Sequence, residues 1–80
     1  MEAITAVDQA IGDKLRGLRA ERRLSQEKLA EISGVSESTI YRIEKATLSA
    51  RMGQLDALCA ALNIDLYDFL KAAFAERGRS

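Results

Sequence analysis

The sequence predicts an all-α fold, a compact bundle of five helices, and three observations predict it. Proline is absent, runs of β-branched residues are missing, and Ala, Leu, Glu, Arg and Lys are abundant, a composition that favours helices. Apolar residues recur at the three- and four-residue spacing that lines one face of a helix. Candidate capping residues, Thr5, Ser25, Ser36 and Asp65, stand just ahead of these stretches. A chain of 80 residues suits one domain with a small core. That core is expected over about 6–75, with a frayed tail at 76–80.

The first helix is expected over 6–22. Thr5 with Asp8 three residues on fits a capping start, and Val7, Ile11, Leu15 and Leu18 form an apolar stripe. Ser25 begins a second helix carrying Leu29, Ala30 and Ile32. Gly34 can close it in the left-handed conformation, which costs glycine little. Ser36 caps a third, with Ile40 and Ile43 facing inward. After the polar stretch KATLSA a fourth helix is expected from near Arg51 to Leu62. Its inward residues are Met52, Leu55, Leu58, Cys59 and Leu62, with Asn63 as C-terminal cap. Asp65 and Asp68 open the fifth, which includes Leu66, Phe69, Leu70, Ala73 and Phe74. No repeat or linker divides the chain.

Composition narrows the function classes. A single cysteine, Cys59, excludes an internal disulfide and fits a reducing compartment. No apolar run approaches the roughly 18 residues of a membrane span, and no basic leader precedes an apolar stretch, so a cytoplasmic location is expected. There is no histidine, no nucleophile–base set, no metal-ligand cluster and no phosphate-cradling glycine loop. Neither an enzyme nor a cofactor or metal is therefore expected. Net charge is zero, yet 14–51 carries nine basic against five acidic residues, a local +4. That middle section is the candidate for meeting a polyanion.

The stretch AEISGVSESTI, residues 30–40, breaks one helix and starts another almost at once. Two helices joined by so few residues, with a glycine between, form a helix-turn-helix. Small Ala30 lets the pair approach, Gly34 permits the reversal, Val35 plugs the corner, and Ile40 and Ile43 anchor the third helix. Glu37, Ser38, Tyr41, Arg42 and Lys45 are left outward, on a helix that the major groove can admit.

The run LRGLRAERRLSQEKLAEISGVSESTIYRIEK resembles the Cro/phage-repressor type of helix-turn-helix domain, also called the xenobiotic-response-element family. The likeness continues through LDALCAALNIDLYDFL and covers roughly 11–70. The resemblance implies a five-helix fold and residue roles. Gln26 matches a glutamine that binds a phosphate and braces the recognition helix, and Ser36 a phosphate contact at that helix's start. Glu37, Ser38 and Arg42 match base-reading positions, whereas Lys45, Thr47 and Ser49 match backbone contacts of the following loop. Arg19 and Glu44 match a structural pair joining the first helix to the third. Ala46, Ala50 and Gly53 depart from the family's glycine, proline and better helix former, so the third helix is open to ending differently and the loop to being looser.

Blander roles stand beside several of these. Arg42 can bind guanine through two hydrogen bonds, or pair with Glu37 or Glu44 on a solvated face. Glu37 can accept from cytosine, repel phosphate or favour the helix start. Tyr41 can meet a phosphate or a thymine methyl, or pack on the surface. Arg22 and Arg23 fit capping of the first helix's dipole. Leu70 and Phe74 either close the core or form a two-fold dimer patch. The expected function is a sequence-specific transcriptional regulator binding double-stranded DNA, a dimeric repressor reading a palindromic operator. The alternative is an antitoxin-like or adaptor module whose main partner is a second protein.

Overall fold

Thr5 and Asp8 start the first helix as the sequence predicts. In the computed structural model, which describes residues 4–77, the Asp8 carboxylate accepts from the Thr5 backbone N–H at 2.8 Å and the Thr5 hydroxyl accepts from the Asp8 N–H at 3.3 Å. Helix α1 spans Ala6–Glu21, α2 Gln26–Ser33, α3 Glu37–Glu44, α4 Met52–Ala61 and α5 Leu66–Arg77. Ser25, Ser36 and Asp65 each accept from a backbone N–H three residues on, at Lys28, Thr39 and Asp68, so side-chain oxygens satisfy donors that a helix start leaves open.

The helices pack in a closed ring, α1 on α3, α3 on α2, α2 on α4, α4 on α5, and α5 back on α1. Inside lie Leu15, Leu29, Ile40, Ile43, Leu55, Leu58, Cys59, Leu62 and Phe69, all essentially without solvent contact. Val35 packs on this core from the turn, the corner position expected for it. Burial, with the nearby Asp56 and Asp65 charges, pushes the Cys59 thiol up to about 11, which keeps it a neutral apolar filler. Lys14 on α1 pairs with Glu76 on α5 at 2.8 Å.

One apolar residue expected inside, Met52, lies outside, and Ile32 is exposed as well. Met52 is 61% exposed because it opens α4 beyond the core, where Leu48 and Ala50 of the preceding loop pack instead. Ile32 is half exposed because α2 turns Gln26, Leu29, Ala30 and Ser33 inward. Helix α5 continues through 76 and 77, which were placed in the frayed tail, while 78–80 lie outside the described residues.

Three helices end in a left-handed residue that is not glycine: Arg23 (φ 55°), Ala46 (φ 57°) and Asn63 (φ 59°). At each, this residue's N–H and the next one fold back onto the last turn, as Ala46 does to Ile43 at 3.0 Å and Thr47 to Arg42 at 2.9 Å. Helix α3 thus ends in the turn a glycine would make. Alanine there costs about 1–2 kcal/mol, partly offset by its smaller loss of chain entropy. Ala46→Gly is therefore expected to stabilise the fold by about 1 kcal/mol, roughly 4–8 °C in melting temperature. A melt showing no increase would contradict that reading of the cap.

Candidate nucleic-acid interface

Helix α3 is held from behind and open in front. Behind it, Ile40 and Ile43 enter the core and Glu44 is buried, with a side chain 4% exposed. Glu44 receives two parallel hydrogen bonds from Arg19, Nε to Oε2 at 2.7 Å and Nη2 to Oε1 at 2.9 Å. Arg19 Nη1 also donates to the Leu24 carbonyl at 2.8 Å, and Gln26 Nε2 to Glu44 Oε1 at 3.0 Å. The hydrogen bond to Glu44 is the main cause raising the Arg19 guanidinium above its ordinary value. The first, second and third helices thus meet at one carboxylate. Among the described residues no buried side-chain polar atom lacks a partner.

In front, Ser36, Glu37, Ser38, Tyr41, Arg42, Lys45 and Thr47 are exposed. Arg42 takes part in none of the ion pairs among the described residues, and Glu44 is engaged by Arg19 and Gln26. Arg42 therefore stands available for an outside acceptor. Glu37 sits in the first turn, where its charge favours the helix start. Lys45 Nζ lies 5.8 Å from the centre of the Tyr41 ring, a cation–π contact on the same face. The Ser36 hydroxyl donates to Thr39 Oγ1 at 2.8 Å while accepting the Thr39 N–H.

In the following loop the exposed Thr47 donates through Oγ1 to the Arg42 carbonyl at 3.3 Å. Ser49 is half-buried beside Asp8, whose carboxyl is held below its usual range first by the Thr5 backbone N–H and then by Ser49. Lys45 stands exposed at the start of this loop and Arg51 at its end. Gln26 donates one amide proton to Glu44 and keeps a second for another acceptor.

Sequence reasoning missed Gly12. A Cβ on Gly12 would overlap the Ile43 carbonyl oxygen and lie 3.2 Å from that of Glu44, so α1 touches the end of α3 backbone to backbone. The available signal was a glycine inside a strong helical pattern, which points to close packing. Leu70 is half-buried and Phe74 is 41% exposed. With Tyr67, Lys71 and Ala75 they line a groove of about 580 Å³ on α5. Among the described residues no group of three His, Cys, Asp or Glu side chains could hold a metal, and no helix is long and apolar enough to cross a membrane.

Comparison with known proteins agrees with this geometry. A family model described as a helix-turn-helix domain matches residues 10–68. An uncharacterised helix-turn-helix-type transcriptional regulator of Rickettsia prowazekii is 34% identical over 68 residues, covering 82% of this chain and 52% of that protein. The immunity repressor protein of Bacillus phage phi105 is 32% identical over 56 residues, covering 70% and 39%. The chain thus spans about half the length, or less, of these curated relatives. Among solved structures, the clp gene regulator ClgR of Corynebacterium glutamicum superposes with a TM-score of 0.85 at 26% identity, covering 95% of this chain and 81% of that one. The restriction-modification controller protein C.AhdI of Aeromonas hydrophila gives 0.77 at 31% identity, covering 81% and 98%. On the family match and these likenesses, the chain belongs to the helix-turn-helix domain family, of the Cro/phage-repressor type.

Proposed function

We propose that the protein is a sequence-specific reader of double-stranded DNA, acting as a dimeric transcriptional repressor that occludes promoters. The observation that carries this reading is α3: an exposed Glu37, Ser38, Tyr41 and Arg42 on a helix whose far side is fixed by the buried Arg19–Glu44 pair. A helix of this kind fits the major groove, and arginine bidentate to guanine is the commonest direct base contact. Arg42 takes that role, with Glu37, Ser38 and Tyr41 beside it. Ser36 at the helix start, the second amide proton of Gln26, and Lys45 contact phosphates. Thr47 and Ser49, in the loop after α3, are the further phosphate contacts of this reading. The relatives, regulators and a repressor, support the same class.

The groove on α5 is the surface proposed for a second copy. Tyr67 and Phe74 stand equally far along the chain from its centre at Leu70 and Lys71. Antiparallel pairing about a two-fold axis would set Tyr67 of each copy on Phe74 of the other. Tyr67→Glu, at a position 69% exposed in one copy, is expected to shift the sedimenting mass from two copies to one and to weaken operator binding. A wild-type protein that sediments as a single copy would overturn the dimer and favour a different protein partner for this groove.

Selection from a randomised duplex pool tests the function itself. Two inverted half-sites are expected, with centres about 34–36 Å apart or a multiple of that. A pool that returns no shared sequence would overturn the reading.

A further inference from the structure

We propose that α1 is the positioning element of the DNA-reading helix, with Gly12 setting the depth of α3; this rests on the reading of α3 as the helix that meets DNA. Residues 12, 15 and 19 follow the spacing that stacks side chains on one helix face. Each meets α3 or the core beneath. Gly12 lies against the Ile43 and Glu44 carbonyls, Leu15 is fully buried, and Arg19 grips Glu44.

The Gly12 contact differs from ordinary core packing. A Cβ there would strike backbone oxygens, which cannot rotate away as a side chain can. The end of α3 would have to move, and Arg42 lies on that last turn. A hydrogen-bonded fork on a base edge tolerates little displacement, whereas sequence-independent attraction to phosphates is forgiving. Gly17 is an internal control: it lies on the same helix, and a Cβ there meets nothing within 4 Å.

The test compares binding to the selected operator and to scrambled duplex at a temperature where circular dichroism shows each variant folded. Gly12→Ala is made in the wild type and beside Asn63→Gly, which relieves a left-handed cap away from α3. It is expected to lose at least ~10-fold on the operator, within the range for one spoiled base contact. Loss on scrambled DNA should stay under ~3-fold, because phosphate neutralisation is retained. Gly17→Ala should change neither. A Gly12→Ala protein that melts earlier but keeps the wild-type ratio between the two DNAs would overturn the proposal.

Equal binding of both DNAs by the wild type would instead overturn the reading of α3 itself.

Discussion

Glu44→Ala is expected to destabilise the protein by about 3 kcal/mol, the lower end for breaking a buried ion pair by removing one partner. For a domain of this size that lowers the melting temperature by roughly 12 °C or more. The lower end applies because Arg19, with its side chain 18% exposed, retains a path to water. The loss also strips Gln26 of its acceptor and leaves α1 and α2 without their shared anchor on α3. Arg19→Ala should cost as much, since it strands the more deeply buried Glu44 with Gln26 alone. Replacing both together, Arg19→Met with Glu44→Leu, should recover much of the loss, because neither charge is then left unpaired. A Glu44→Ala protein melting within ~2 °C of wild type, under ~0.5 kcal/mol for this chain length, would refute the anchor.

Arg42→Ala is expected to act in the opposite compartment, on recognition and not on folding. Its side chain is exposed and joins none of the described ion pairs, so the melting temperature should hold. Loss of a bidentate base contact costs about 1–3 kcal/mol, or roughly 5–150-fold in operator affinity. Scrambled DNA, bound through phosphates, should lose far less, and the pool selected by the variant should no longer favour one base at the contacted position. Equal loss on operator and scrambled DNA would mean that Arg42 serves as a phosphate contact.

The two variants separate what could be read from the sequence from what could not. Helix number, order and starts were legible because Thr5, Ser25, Ser36 and Asp65 are local signals whose acceptors lie three residues away. The Arg19–Glu44 pair, 25 residues apart in sequence, was legible only through family resemblance. Periodicity misplaced Met52 because it marks an apolar face without showing where the neighbouring helix ends. Ala46 looked like a departure in the cap, yet its backbone adopts the left-handed turn. The free energy of the surrounding packing overrides a local preference of about 1–2 kcal/mol. The bond from the Thr47 hydroxyl to the Arg42 carbonyl was not legible, because resemblance transfers positions, while a hydroxyl's partner depends on which oxygen stands nearby. Gly12 was missed for a related reason: a close approach becomes visible when the opposing backbone is in place.

The central claim is that α3 reads a DNA sequence, and titration tests it most directly. Purified protein would be titrated with duplex from upstream of its own gene and with a scrambled duplex, at several salt concentrations. Binding at least ~10³-fold tighter to the native duplex is expected. Affinity should fall along a log–log salt line whose slope counts the phosphates neutralised. Weak binding of equal strength to both duplexes would contradict it, leaving α3 a scaffold helix and the groove on α5 the working surface.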